Sequence, residues 1–455
     1  MRDYLKKQGY HVISSEFYGF IEGWLDWYKG KVESFHMYKQ YNGKKLIGRE
    51  RASLGMAKKI CEDWANLLLN EKVQINMDDE AISELVNKVL LENNFRVRAN
   101  RMIELTYALG TGAFVEYLDD GKVIIDYIRA NMIYPLAWEN GEIIECAFSS
   151  EKVIGGKMYS YLNMHLLVDG NYSICNKLFE KKNGELIEVD LPESIQPLIY
   201  TNSKIPLFQI VMPNIVNNVE LDNPMGLSIF ANALDVLKGI DLIYDSYNNE
   251  FRLGKKRIVV PAGMAQMQSG DTGMTPIFDD NDTEFYAIND KSLTELREIN
   301  MELRADPHEK ALQKNLNLLS AKCGLGTVRY NYESKSSKTA TEITSEKGEL
   351  FQNLLKNELV LEKAIVDMVR AIAFLSGFDT DFDVTINFDD SIIEDTNMTS
   401  QRAILELQNG VIDEVEYLSR VYKLTQKQAI ERVGIMKARK RQHEVELQKL
   451  LNRNN

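Results

Sequence analysis

The sequence predicts an α+β protein in which a mixed domain is followed by long helices around a small lobe. Three observations carry this reading. In the first fifth of the chain, apolar residues recur at helical spacing. From about Ala113 the apolar period changes to two, and the runs are broken by Asp120-Gly121, Asn140-Gly141, Asp169-Gly170 and Asn183-Gly184. Beyond Asn223 the helical period returns, in stripes too long for one compact core to cover.

The elements follow in order. Phe17, Phe20, Ile21, Trp24, Leu25 and Tyr28 define an amphipathic helix, and further stripes run from Ala52 to Leu69, from Ile82 to Leu91 and from Phe95 to Leu109. The Asn-Gly and Asp-Gly pairs tolerate the positive φ of tight hairpin turns, so the runs Phe114 to Leu118, Lys122 to Ile125, Met164 to Val168 and Tyr172 to Cys175 read as an antiparallel meander. Asn223-Pro224 then supplies a cap and a first-turn proline. A stripe from Ile229 to Phe251, stopped by Gly254, predicts a helix over Ile229 to Leu253, about 37 Å long. A Gly-, Met- and Asp-rich stretch from Lys255 to Asn289 holds short strand candidates at Ile258 to Val260 and Phe285 to Ile288. Helix resumes from about Pro307 to Lys322 and closes at Gly324-Leu325-Gly326. Thr339-Ala-Thr-Glu342 is a capping box opening a helix from Ala340 to Ser376, about 55 Å long. Phe382 to Phe388 alternates as a strand, and Ser400 to Leu451 is helical again.

Composition excludes several classes. The 455 residues carry 54 Lys+Arg against 67 Asp+Glu, a formal charge of −13, and 44% are hydrophobic. That is a globular composition with length for about three domains. No charge-free run of about 18 apolar residues marks a membrane span, and MRDYLKKQGY lacks the apolar core of a signal peptide, so the protein is expected to work inside a cell or in a particle assembled there. Cys61, Cys146, Cys175 and Cys323 are far apart without a CxxC pair, as isolated buried thiols would be.

The motifs that resemble chemistry are incomplete. Gly43-Lys-Lys-Leu-Ile-Gly48-Arg49-Glu50 approaches a phosphate loop, but Arg49 stands for the lysine and Glu50 for the hydroxyl, so a solvated turn is the expectation. Asp379, Asp381, Asp383 and Asp390 have the spacing of a calcium loop, yet Val384 occupies the glycine position. Asp279-Asp280 and Asp389-Asp390 are adjacent pairs that point to opposite faces of a strand. The five histidines show no ligand spacing and no GxSxG elbow exists, so neither a catalytic centre, a metal site nor a cofactor is expected. Two basic features remain. Arg252, Lys255, Lys256 and Arg257 cluster at a helix end, and Arg329, Lys335 and Lys338 surround a serine-rich loop with Ser334, Ser336 and Ser337.

Four segments, in order, resemble the portal proteins of tailed bacteriophages that infect Gram-positive bacteria. They are Ala57 to Glu71 (AKKICEDWANLLLNE), Asn223 to Phe230 (NPMGLSIF), Lys338 to Glu346 (KTATEITSE) and Asn387 to Ile392 followed by Asp395. The resemblance covers roughly residues 15 to 430. It implies a structural protein rather than an enzyme: a homo-oligomeric ring, typically a dodecamer, at one capsid vertex of the virion, assembled in the host cytoplasm. Double-stranded DNA passes through such a ring during packaging and ejection, independently of sequence. It further implies docking of the terminase large subunit, contact with the major capsid or scaffold protein, and a later head-to-tail adaptor.

By the same resemblance, residues 1–223 would form the wing, with 377–398 returning to it, and 224–254 a stem helix. Residues 255–306 would form the clip, with Lys255, Lys256 and Arg257 meeting a partner, and 307–326 a second stem helix. Residues 327–339 would be a tunnel loop in which Arg329, Tyr330, Tyr332, Lys335, Ser336 and Lys338 face DNA. Residues 340–376 would be a long channel-side helix and 399–455 the crown and C-terminal tail. The acidity fits this reading, because acids lining a passage discourage phosphates from sticking while a few lysines make weak, sequence-blind contacts. Two other readings compete: a metal- or nucleotide-dependent packaging enzyme, which the broken phosphate loop opposes, and a non-ring scaffold built on coiled coils, which the drifting stripe from Ile343 to Leu375 opposes.

Overall fold

The computed structural model describes residues 1–455 except 42–44, 183–184, 255–256, 262–266, 271–272, 277–284, 289–296, 301, 332–339, 389–402, 409–410, 423, 425–427 and 440–455. Among the described residues the N-terminal part is built on helices α1 (Arg2–Lys7), α2 (Ser15–Tyr28), α3 (Glu33–His36), α4 (Met56–Leu68), α5 (Glu80–Glu92) and α6 (Phe95–Leu109). Their starts follow from capping chemistry: the Ser14 hydroxyl accepts from the Phe17 amide, and Asp79 accepts from the Ala81 and Ile82 amides. Their apolar stripes form the main core, with Phe17, Ile21, Ile60, Trp64, Ile103 and Tyr107 fully buried. Strands β1 (Met37–Tyr41), β2 (Leu46–Glu50) and β3 (Gln74–Met77) lie between these helices.

The meander is as the turn residues predict. Strands β4 (Gly112–Asp119), β5 (Lys122–Arg129), β6 (Ile133–Glu139), β7 (Glu142–Ile154), β8 (Lys157–Val168), β9 (Asn171–Lys182), β10 (Glu185–Val189), β11 (Leu198–Ser203) and β12 (Phe208–Val211) follow one another. Asp120-Gly121, Asn140-Gly141 and Asp169-Gly170 all adopt positive φ, and Asn183-Gly184 lies outside the described residues. One sheet has the order β12-β4-β5; a larger one has the order β10-β9-β8-β7-β6 with β11 also on β9.

Helix α7 (Leu234–Leu253) begins later than the stripe predicts. Asn223 caps a turn instead, its side-chain oxygen accepting from the Met225 amide. The chain from Met225 to Phe230 is buried as an irregular segment, held by the Gly226 amide on the Thr111 hydroxyl and the Ile229 amide on the Tyr107 carbonyl. The reason is contact between two main chains. A Cβ at Gly226 would lie 2.4 Å from the Gly110 carbonyl oxygen, and one at Gly110 would lie 2.3 Å from the Gly226 oxygen.

The small lobe contains β13 (Arg257–Pro261), β14 (Met267–Gly270), β15 (Gly273–Pro276), β16 (Phe285–Ile288) and β17 (Arg297–Ile299). Strand β13 is central, parallel to β16 and antiparallel to β17. Helix α8 (Ala305–Lys322) packs along α7. Helix α9 (Ala340–Leu375) is 36 residues long and ends one residue before the predicted Ser376. Strand β18 (Val384–Asn387) returns to pair antiparallel with β3. Beyond it, residues 403–408, α10 (Glu414–Tyr422) and residues 428–439 are helical.

One expectation is corrected. The α9 stripe was expected to exceed what one chain can bury, but Leu350, Leu354, Leu361, Ile365, Met368 and Ile372 are all buried within the protomer, covered by elements that include α4, α5, β4 and β12. Among the described side chains of α9, the large apolar residues left exposed are Leu355 and Leu359, one turn apart on another face. The side chain of Ile343 lies outside the description.

Candidate functional site

The predicted loop grows out of a clamp on α4. The side chains of Lys59, Arg329 and Tyr330 converge on Asp63, which is only 4% exposed. Lys59 Nζ lies 2.8 Å from Asp63 Oδ1, Arg329 Nη2 3.2 Å from the same oxygen, and the Tyr330 hydroxyl donates to Oδ2 at 2.8 Å. Burial pushes the Asp63 carboxyl up. The hydrogen bonds from Lys59 and Tyr330 and the charge of Arg329 more than reverse this, so it titrates below the usual carboxylate range. Burial, followed by the adjacent Asp63 charge, drives the Tyr330 phenol well up.

The backbone on either side is fixed as well. Gln313 on α8 donates to the Tyr330 carbonyl at 3.0 Å, and the Trp64 indole donates to the Cys323 carbonyl at 3.0 Å. Asn353 on α9 donates to the Gly324 carbonyl at 3.2 Å, where Gly324 and Gly326 take φ of 76° and 74°. Trp64 stacks on Tyr107 at 5.4 Å, and the Tyr107 hydroxyl donates to Asn357 Oδ1 at 2.8 Å. Residues 323–331 are thus pinned to α4, α8 and α9 together.

Of the six residues expected to face DNA, the structure brings Arg329 and Tyr330 together on Asp63. Tyr330 is buried and its hydroxyl is engaged, so within the protomer it anchors the segment and presents no open surface. Tyr332, Lys335, Ser336 and Lys338 lie outside the described residues, as do Lys255 and Lys256. Arg257 opens β13, paired with Ile299. Sequence reasoning missed Asp63 and Trp64 as anchors, although both stand in the Ala57 to Glu71 segment. The available signal was an acid beside an aromatic on the apolar side of an amphipathic helix.

Where the small lobe leaves α8, Arg304 pairs with the Glu250 carboxylate of α7, and His308 Nε2 lies 3.7 Å from the same group. The Arg304 hydrogen bond holds Glu250 below its ordinary range.

Residues 48–50 of the phosphate-like motif are extended strand in β2. No group of three or more His, Cys, Asp or Glu is positioned to hold a metal among the described residues, and Asp390 lies outside them. Cys61, Cys146 and Cys323 are buried free thiols and Cys175 is a partly buried one. No described helix is long and apolar enough to cross a membrane.

A cleft of about 600 Å³ opens between the two sheets, lined by Tyr161, Asn163, His165, Asn176 and Phe374 among others. Tyr161 and Asn163 both donate to Asn176 Oδ1, at 2.5 and 2.9 Å. His165 is buried against Phe148 and Phe208 and neither ring nitrogen has a hydrogen-bond partner, so no hydroxyl or thiol is joined to it as a base. Burial lowers His165 to about 3. On the β12-β4-β5 sheet, both oxygens of buried Glu116 lack a partner, as do the Tyr127 hydroxyl and the Gln209 amide. Burial raises Glu116 to about 8; the Gln209 amide beside it, which meets no hydrogen-bond geometry, and the backbone of Glu116 itself only soften the rise.

Comparison with known proteins bears on the whole chain. Among solved structures, a chain from the virion of a native gene transfer agent particle superposes with a TM-score of 0.43 at 9% identity, covering 80% of this chain and 89% of that one. No curated protein matches. The family described as phage portal protein, SPP1 Gp6-like, matches residues 13–443. With that match running through the α4 clamp, the Gly226 crossing, α7 to α9 and the returning β18, this chain belongs to the phage portal protein family.

Proposed function

We propose that the chain forms a closed ring at one vertex of a phage capsid, through which double-stranded DNA is packaged and ejected. The observation that carries this is the family match over residues 13–443, which takes in nearly every described element. The family is one of structural virion proteins. Leu355 and Leu359, exposed one turn apart on α9, are surface that a ring neighbour would cover.

In this reading the pinned segment 323–331 delivers residues 332–339 to the channel from a fixed root. Lys335 and Lys338 supply weak contacts to phosphate, and the acidic balance of the chain keeps DNA sliding. The lobe carrying Lys255, Lys256 and Arg257 docks the terminase large subunit and later a head-to-tail adaptor, and the outer elements meet the capsid or scaffold protein.

Electron microscopy of the protein purified from particles tests the assembly: a closed ring with a central channel is expected, and a compact, non-ring species in the particle overturns the reading. Replacing Lys335 and Lys338 with Ala is expected to reduce packaged length or DNA retention; unchanged packaging removes them from the mechanism. Exchanging Lys255, Lys256 and Arg257 for Glu is expected to weaken motor binding while the oligomer persists, and normal motor binding defeats that assignment.

A further inference from the structure

The β1–β2 hairpin is a two-stranded sheet whose strands pair only with each other among the described residues. Such a ribbon is marginal by itself in water. Its root, however, is firmly built. The His36 Nδ1 accepts from the Val32 amide at 2.8 Å, which leaves the proton on Nε2 to donate to Asp241 on α7 at 3.0 Å. Asp241 and Asp245 also accept from the Leu54 and Ala52 amides, and Arg51 donates to the Phe35 carbonyl with its guanidinium over the Phe35 ring.

A rigid root thus carries an arm exposed along one face, where Met37 at 50%, Tyr41 at 64% and Leu46 at 65% stand with Lys39, while Tyr38, Ile47 and Arg49 on the other face are half-buried. Its charge opposes that of the chain. Residues 37–50 hold Lys39, Lys44, Lys45 and Arg49 against Glu50, which gives 4 − 1 = +3; the other 441 residues then carry −13 − 3 = −16.

A surface of the opposite character lies on α5 and the turn before it. Residues 78–92 hold Asp78, Asp79, Glu80, Glu84 and Glu92 against Lys88, a balance of 1 − 5 = −4. All five acids are exposed, none forms an ion pair among the described residues, and Leu91 among them is 81% exposed. Helix α5 packs on α6, α9 and β3, whereas β1 packs on α3, so the two surfaces sit on different supports.

We propose that the β1–β2 arm of one copy docks on the α5 surface of a second copy. Exposed apolar side chains interleaved with the lysines favour a protein surface over a phosphate backbone as the occupant. A contact between two different patches of the same chain is head-to-tail, the kind that propagates around a ring. The inference therefore rests on the ring reading and assigns it an interface.

The test is made in assembled particles. Lys39→Cys combined with Glu84→Cys is expected to give an oxidation-dependent ladder of covalent dimers and higher species, absent from either single variant. Lys39→Glu with Lys45→Glu, or Glu80→Lys with Glu84→Lys, is expected to lower assembly about tenfold, and the four changes together to restore it, with thermal melts of the monomer unchanged throughout. A closed ring without a ladder, or failure of the fourfold exchange to rescue, overturns the contact and leaves the portal reading standing. The absence of any closed ring in the wild type removes both. If reversing Lys39 and Lys45 weakens DNA binding with the oligomer intact, the arm serves nucleic acid and the proposal falls.

Discussion

Asp63 and Glu116 are both buried carboxyls, and they titrate in opposite directions. At the root of segment 323–331, Asp63 is met by an ammonium, a guanidinium and a phenol, and its charged form is favoured despite burial. On β4, Glu116 faces no cation, and burial, only softened by the Gln209 amide and its own backbone, holds it protonated up to about 8. Burial sets the cost of a charge, and the donors at hand set its sign. The first region is therefore built to stay ionised and fixed, and the second to stay neutral.

The strongest way to break this contrast is Asp63→Ala. It leaves Tyr330 with a buried hydroxyl unpaired and two cations uncompensated, and a loss of about 2–4 kcal/mol is expected in urea unfolding. An unchanged midpoint would show that the clamp carries no stability. In the wild type, the Asp63 contribution is present above the ordinary carboxylate range and is lost as pH falls through its depressed folded value.

Glu116→Gln tests the opposite corner. Because Glu116 is raised from 4.5 to about 8, the native state binds the extra proton and wild-type stability falls as pH rises between those values. The variant is expected to lose that slope and to exceed the wild type at pH 8, by an amount on the order of 2 kcal/mol. A retained slope would place the titrating group elsewhere.

A smaller effect is expected from Tyr330→Phe, about 1 kcal/mol, since one hydrogen bond is lost while the ring and the two cations on Asp63 stay. A loss as large as that of Asp63→Ala would mean that the phenol dominates the clamp. Smallest is His165→Leu, within about 1 kcal/mol at pH 7, because the two ring nitrogens removed have no partners. The wild type loses stability as pH falls from 6.5 toward the lowered value of about 3, and the variant is expected to lose that dependence.

Much of the fold was legible because its signals are local. The apolar stripe from Phe17 to Tyr28 announced a helix, and Asp120-Gly121, Asn140-Gly141 and Asp169-Gly170 announced hairpins whose positive φ the structure bears out. The start of α7 was misread because Asn223-Pro224 is equally good chemistry for a turn, and only the distant Gly110 decides between them. The α9 stripe was read correctly as apolar and wrongly as surplus, since periodicity reports what a helix must bury and is silent on what covers it. The loop root was the least legible part. Asp63 and Tyr330 are 267 residues apart, and no spacing in one sequence ties them.

The meeting of Gly110 and Gly226 has a mechanical side. Two main chains in direct contact have no side chains between them to bend or slide, so the end of α6 and the segment leading into α7 are coupled with little slack. A push along the axis of α7 would then reach α6 directly through the main chain at that crossing, with no side chain between to absorb it.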